Sequence, residues 1–383
     1  MVKYIRVIIG ANYGDEGKGL ITDYFASQSI KNGMSTCVVL TNGGAQRGHT
    51  VVTPDGIKHV FHHFGSGYFA GADTFLPKQF IVNPMIFCKE IMDGLYKSDT
   101  KIIVDPDCIV STPFDMLANM IKEETRGENR HGSVGVGIWE TILRKDSDEE
   151  NKTLTFNEMI EMNDQELEVY LKNVREYYAG YIIEYGCSLD KYSKIFFNEN
   201  LIKNYIQDFK IMCKICNMRN ASALADYESL IFENGQGLLL DTSLNDPDNG
   251  YYTTPSNTGF KNVDVILDPK YVKLNRNTYK EVVFVTRSYL TKHGGKDIPN
   301  KTELDFVKKE YETNVPNDYQ GSLMYAEQDW DDFTQRFREE FIPVFDNWIK
   351  TIAVTHCDEN DDIPIFAAYK SYGPTRNDVK TFI

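Results

Sequence analysis

The feature that most constrains the fold is a series of short β-branched runs separated by longer mixed segments: YIRVIIGA, TCVVLTNG, KIIVDP, SLIFENG, EVVFVTRSYL, TIAVTH and PIFAAYKSYG. Runs this short and apolar predict buried strands, and the lengths between them suit helical crossovers. The chain therefore reads as an α/β protein with a mostly parallel central sheet. Several runs end in Gly, Asn, Asp or His, where open α/β sheets place their ligands. From about Arg144 to Asn220 the sequence turns charged and Tyr-rich, with a Thr155/Glu158 capping box ahead of a helical pattern. We read residues 1–383 as one domain and residues 144–220 as a helical insertion within it.

The first run passes into a glycine-rich turn, IIGANYGDEGKG, from Ile8 to Gly19. Gly10, Gly14, Gly17 and Gly19 let the backbone approach a phosphate, and Lys18 supplies the point charge that a nucleoside triphosphate needs. A loop built only to cradle an anion has no use for Asp15 and Glu16, whose carboxylates repel it. The common pattern G-x-x-x-x-G-K-[ST] also puts a Mg2+-binding hydroxyl after the lysine, where this chain has Gly19. Asp15 can replace that ligand, and a carboxylate beside phosphates can also take a proton from a second substrate. A tight turn carrying a surface acid pair is the plainer alternative.

A second glycine-rich loop, NGGAQRGHT, follows the next run and carries His49. Two strand-end loops, one with an acid and one with a histidine, predict a catalytic site. A formal charge of −15 excludes a bulk electrostatic grip on nucleic acid or an anionic membrane, so phosphate is to be held locally, in a small-molecule site. Seven scattered cysteines do not suggest a disulfide framework, no apolar run approaches a membrane span, and the start shows no signal-peptide pattern. Together these predict a cytoplasmic protein. CKIC (Cys213 to Cys216) and the histidines of HVFHHF (His59 to Phe64) read as packing rather than zinc ligands, and DWDDF (Asp329 to Phe333) as the exposed start of an amphipathic helix.

In order along the chain, GDEGKG, GGAQRGHT, FENGQGLLLD and TTPSNT resemble the signature series of the adenylosuccinate synthetase family, usually GDEGKG, GGxNAGHT, FEGAQGxLLD and VTSSNT. With later matches the resemblance runs from Gly10 to about Arg376. It implies a carbon–nitrogen ligase of purine biosynthesis, Mg2+-dependent and homodimeric. The γ-phosphate of GTP passes to the 6-oxygen of IMP, and the amine of L-aspartate then displaces that phosphate. By the resemblance, Asp15 takes the N1 proton and binds Mg2+ together with the Gly48 carbonyl, while His49 stabilises the oxygen being phosphorylated. Gly14, Glu16, Gly17, Lys18 and Gly19 would hold the donor phosphates, and Gln46, Gln236 and Thr254 the acceptor nucleotide. HGSVGVGI matches the family's TTGRGIG phosphate loop through Ser133, Val134 and Gly135. Arg144 is the candidate for an arginine reaching the acceptor phosphate across the dimer interface, against the plainer reading of a surface ion pair.

Departures from the family pattern fall at the donor base and at the aspartate loop. THCD stands in place of TKLD, so by the resemblance Asp358 reads guanine while His356 replaces the lysine over the ring. SYGPTRND resembles STGPDR and places Ser371, Gly373 and Pro374 near the donor base, with GTP favoured and ATP open. After YLTKHGGKDIP the arginine-rich TTGRRRR loop that grips aspartate has no counterpart. A dicarboxylate needs cationic or N–H donors, for which Lys292, Lys296 and Lys301, with Gln320, Gly321 and Ser322, are candidates. Gln46, HGSVGVGIWET and NVPNDYQGSL are similar to a compact phage branch that converts dGMP toward diaminopurine DNA, which would make the chain a (2-amino)-2′-deoxyadenylosuccinate synthetase using ATP or GTP. Asp15 favours IMP, because the 2-amino group of guanine crowds a carboxylate placed at N1. Two other classes stand beside these: a non-catalytic purine-nucleotide-binding protein, and a small-acceptor kinase needing only the first motif.

Overall fold

Strands β1 (Tyr4–Gly10), β2 (Thr36–Leu40), β3 (Asp73–Leu76), β4 (Ile102–Val104), β5 (Asn217–Met218), β6 (Ser229–Glu233) and β7 (Tyr279–Arg287) belong to the central sheet. After a separate antiparallel pair, β8 (Tyr289–His293) and β9 (Leu323–Glu327), the chain returns to it with β10 (Ile349–Thr355), β11 (Tyr369–Ser371) and β12 (Val379–Thr381). The computed structural model describes residues 1–383 except 96–98, 149, 242–255, 310, 311, 313–319, 342–346, 362, 365 and 383. Among the described residues the sheet order is β12-β11-β10-β7-β1-β6-β2-β3-β4-β5, parallel throughout except for the edge pair β11 and β12. Each of the seven runs contributes a strand to this sheet, although the end of EVVFVTRSYL, Tyr289 and Leu290, belongs to β8 of the separate pair, and PIFAAYKSYG contributes only Tyr369–Ser371.

The apolar runs are continuous because both faces of the sheet are covered. Ile8 joins a core on one face with Phe25, Val38 and Ile231, while its neighbours Val7 and Ile9 join the other with Phe232 and Phe284. Helix α1 (Lys18–Lys31) leaves the glycine-rich loop, and α2 (Pro113–Arg126) opens with Pro113 behind a Thr112/Asp115 capping box. The region read as an insertion is helical: α3 (Phe156–Glu161) starts at the Thr155/Glu158 box, α4 (Asp164–Glu184) at an Asn163/Glu166 box, and α5 (Glu199–Ile215) at Asn198. Leu171, Val174 and Tyr178 of α4 and Phe209 of α5 pack into the same core as Ile8 and Val38.

The DWDDF segment begins α6 (Trp330–Arg336), where the Asp329 side chain accepts from the Asp331 and Asp332 amides at 3.0 and 2.9 Å. All seven cysteines are free thiols, and no described helix is long and apolar enough to cross a membrane. In β1, Ile8 pairs level with Glu233 of β6, which in turn pairs with Leu40 of β2, so the loops leaving these three strands emerge side by side.

Candidate active site

The loops after β1, β6 and β10 each hold a non-glycine residue in the left-handed region: Asp15 at φ 61°, Gln236 at 61° and His356 at 59°. That conformation costs about 1–3 kcal/mol and collects where function requires a fixed backbone. All three residues line one cleft of about 1840 Å³. A pocket for one small ligand is typically about 300–1,000 Å³, so this cleft has room for more than one.

The first loop wraps around its own acid. The Glu16 carboxylate accepts from the Asn12 and Gly14 amides at 3.1 and 2.8 Å, and its other oxygen pairs with Lys18 Nζ at 2.6 Å. Both side chains are buried, so the acid occupies the cradle of N–H groups and ammonium that a phosphate would use. The absent hydroxyl has a steric reason. A Cβ on Gly19 would lie 2.9 Å from the Thr50 carbonyl and 3.2 Å from His49 Cβ, so only glycine lets the two strand-end loops meet.

Arg287, at the end of β7, donates from Nε to the Asp15 carbonyl at 2.6 Å and pairs with Glu312 at 2.7 Å, holding the Asp15 backbone in place. Burial raises the Asp15 pKa above the ordinary carboxylate value, and the charges of Arg287 and Lys18 offset this only in part. A raised pKa makes Asp15 the better proton acceptor once ionised.

His49 is held by Glu233. Its Nδ1 lies 2.5 Å from Glu233 Oε1, and the same carboxylate accepts from the Ser66 amide at 3.1 Å and from the Ser66 hydroxyl. Arg47 Nη2 sits 3.5 Å from Glu233 Oε2 and 3.0 Å from His49 Nδ1. Burial alone would push the Glu233 carboxyl up, but Arg47 and His49 bring it down to about 2. Burial, reinforced by Arg47, lowers His49 to about 4, so at neutral pH an uncharged ring faces an ionised carboxylate. Nδ1 then carries the proton to Glu233, and Nε2 is the ring nitrogen left for a ligand.

Gly14, Gly17, Gln46, Gly48, Ser133, Val134, Asp358, Gly373 and Pro374 also line the cleft. Asp358 pairs with Lys308 at 3.1 Å, and the His356 ring packs edge-on against Tyr289. Ser133 donates to Asn119 at 2.9 Å, and the amides of Gly132 and Ser133 reach Glu123 at 2.9 and 3.3 Å, so this loop too is turned toward a carboxylate. The Gln236 side chain accepts from Ser256 at 2.9 Å. Thr254 lies outside the described residues.

Two expectations need correction. Arg144 is neither an exposed ion pair nor a cleft residue: it is fully buried and holds Asp115 through Nε and Nη2, both at 2.9 Å. Ser371 is also buried outside the cleft wall, its hydroxyl bonded to the Gly373 carbonyl at 2.6 Å. Of the histidines read as packing, His63 is core, but His59 and His62 line the cleft beside Glu90.

Sequence reasoning missed Arg47, Glu233, Arg287 and Glu123. Glu233 and Arg287 fall at strand ends, a positional signal that could have found them. Arg47 sits inside the second motif where the usual form has alanine, so the resemblance gives it no role.

The oxygen donors Asp15 and Gly48 share the cleft wall with Lys18, a set that suits Mg2+, which prefers a few protein oxygens completed by phosphate. Among the described residues no cluster of His, Cys, Asp and Glu forms an all-protein metal site.

Comparison with known proteins places this geometry. The chain is 28% identical over 310 residues to the adenylosuccinate synthetase of Alkaliphilus metalliredigens (strain QYMF), covering 78% of this chain and 65% of that protein. It is 29% identical over 317 residues to the Mesoplasma florum enzyme, covering 78% and 64%. The match thus spans somewhat less than two thirds of these relatives. The fold is that of a fully ligated adenylosuccinate synthetase from Plasmodium falciparum, at TM-score 0.72, 16% identity and 99% coverage of both chains. It is also that of the cyanophage S-2L succinoaminodeoxyadenylate synthetase bound to dGMP and dATP, at TM-score 0.63, 15% identity and 100% and 96% coverage. The family model described as adenylosuccinate synthetase matches residues 7–339, most of the chain, with both strand-end loops and Glu233 inside the match. The protein belongs to the adenylosuccinate synthetase family.

Proposed function

We propose that the protein is a carbon–nitrogen ligase that joins L-aspartate to C6 of a 6-oxopurine nucleotide, IMP in the favoured reading, at the expense of GTP. The observation that carries this reading is the meeting of Lys18, Asp15 and His49 in one cleft large enough for two nucleotides. An amide-like 6-oxygen is a poor leaving group, and phosphorylation converts it into a good one. Lys18 neutralises the donor phosphates once Glu16 gives way to them. Asp15, with its raised pKa, takes the N1 proton and so directs electron density to the 6-oxygen. His49, oriented by Glu233, faces that oxygen and gains positive character as negative charge builds there. The 6-oxygen attacks the γ-phosphorus with GDP as the leaving group; the free amine of aspartate then attacks C6, phosphate departs with the bonding electrons, and the amine loses one proton to the departing phosphate. Mg2+ when bound, held by Asp15 and the Gly48 carbonyl, supplies charge neutralisation at the phosphates.

A homodimer accords with the family but enters no step above. Retention of Asp15 supports IMP. The likeness to an enzyme whose structure contains dGMP and dATP makes dGMP, with ATP as donor, the second acceptor to test. The test is phosphate release by purified protein with aspartate, Mg2+ and each pairing of GTP or ATP with IMP, GMP or dGMP, with product mass measured. A succinylamino purine and aspartate-dependent phosphate release are expected. A stable phosphorylated acceptor formed without aspartate would make the protein a kinase, and binding without turnover would make it a nucleotide-binding module.

A further inference from the structure

Among the described residues, the buried or half-buried Lys and Arg side chains of the cleft wall each face a carboxylate, Lys292 excepted. Lys18 pairs with Glu16, Arg47 with Glu233, Arg126 with Glu123 and Arg287 with Glu312. Lys292 on β8 is 2% exposed and lines the same cleft, yet among the described residues its ammonium donates only to backbone, to the Gly294 carbonyl and to the Lys296 carbonyl at 2.8 Å. Among the described residues no carboxylate lies within ion-pair distance of it. Asp297 acts on it only at longer range and is itself engaged by Lys301 at 3.0 Å. An ammonium has three N–H donors, so two carbonyls fix its position and the third N–H meets no acceptor among the described residues. Keeping a cation buried without a counter-ion is costly and calls for an anion that arrives with the ligand.

The surroundings say which anion. Gly294 packs against the HGSVGVGI loop so tightly that a Cβ on Gly132 would lie 2.7 Å from Gly294 Cα, and one on Gly294 would lie 2.7 Å from the Gly132 carbonyl. The ammonium is therefore tied to a residue that touches the loop bearing Ser133 and Val134. One residue earlier on the same strand, Thr291 donates to the Gly14 carbonyl at 3.3 Å, so β8 spans from the reacting loop at Asp15 to the Gly132 loop. A nucleoside monophosphate with its base at the Asp15 loop would carry its phosphate at the far end of the ribose, and Lys292 follows Thr291 along β8, between the contact with Gly14 and the contact with Gly132. Arg144, buried against Asp115, leaves that phosphate without the cation expected for it.

We propose that Lys292 is the cationic seat for the 5′-phosphate of the acceptor nucleotide. This rests on the ligase reading above and names the group that anchors its acceptor.

The test compares wild type, Lys292→Met and Lys292→Arg in calorimetric titrations with IMP and dGMP and with their nucleosides, inosine and deoxyguanosine, alongside KM for acceptor and for aspartate. Loss of one charge-assisted contact should weaken nucleotide binding in Lys292→Met roughly ten- to a hundredfold. Nucleoside binding should not change, the arginine variant should recover most of the loss, and the aspartate KM should stay within about twofold. Should the methionine variant fail to fold, Lys292→Gln, which keeps a donor for the carbonyls, carries the same comparison. The proposal is overturned if nucleotide and nucleoside weaken together, if the wild type does not distinguish them, or if only the aspartate KM rises, which would give Lys292 to the dicarboxylate. Absence of aspartate-dependent phosphate release in the wild type would refute the ligase reading, while the nucleotide-against-nucleoside comparison would still judge Lys292.

Discussion

Glu16 and Lys18 form a buried ion pair at 2.6 Å inside the loop that family resemblance assigns to donor phosphate. The acid takes two backbone amides and the ammonium at once, so a phosphate seated on those donors would have to displace it. Replacing Glu16 by glutamine removes a charge that competes with the ligand. Donor affinity, read by nucleotide titration, should rise several-fold in Glu16→Gln and fall in Lys18→Ala. Weaker donor binding in Glu16→Gln would show instead that the carboxylate contacts the bound donor directly.

Asp15 and His49 are assigned to the chemical step rather than to binding. Asp15→Ala should abolish turnover while nucleotide affinity stays within about tenfold of wild type. A wild-type rate in that variant removes Asp15 from the mechanism. His49→Ala should behave similarly, and a loss confined to thermal stability would make the histidine structural.

Glu233 orients His49 and should matter through it. Glu233→Gln leaves the shape nearly unchanged but removes the charge that fixes the Nδ1 proton, and turnover should fall by roughly 10²–10⁴. Stability supplies an independent reading. The Glu233 carboxyl is lowered to about 2, so between that value and its ordinary pKa near 4.5 the unfolded chain binds more protons than the native one. Its contribution is complete above about 4.5 and is lost as pH falls toward 2. Melting temperature against pH should therefore fall less steeply below 4.5 in Glu233→Gln than in wild type, and equal slopes would contradict the ionised, buried state.

What the sequence shows and what it hides divide along a physical line. The strands were legible because two-sided burial demands continuous β-branched runs, as in EVVFVTRSYL, and the loop glycines because they sit where chain must approach chain, as at Gly19 beside Thr50. β3, β5 and β12 are short and were not read. Glu233 closes a strand in which the three residues before it, Leu230, Ile231 and Phe232, are apolar, and its partners His49 and Ser66 lie far away in sequence, so only tertiary pairing reveals its role. Glu16 lines the cleft, but spacing does not say that its carboxylate turns onto Lys18 and the Asn12 and Gly14 amides. The same limit misplaced Arg144, an arginine in a charged stretch that the fold nevertheless buries.

Arg144 gives the sharpest separation between an interface role and a structural one. Beyond its two bonds to Asp115, its Nη1 donates to the Asn151 carbonyl at 2.8 Å, the Lys152 carbonyl at 3.0 Å and the Tyr170 hydroxyl at 2.8 Å. Asp115 also accepts from the Tyr178 hydroxyl at 2.6 Å and caps α2 through the Thr112 amide at 2.6 Å, so it cannot turn away if the arginine is removed. Arg144→Leu leaves that carboxylate buried without its counter-charge, a loss of about 3–5 kcal/mol. Thermal melting should fall by roughly 4–6 °C in a chain of this size. Adding Asp115→Asn removes the stranded charge and should restore part of the stability, since the two sites are directly coupled. An arginine that reached an acceptor phosphate from an interface would give the opposite pattern, with normal melting, weakened acceptor binding and no rescue by the second substitution.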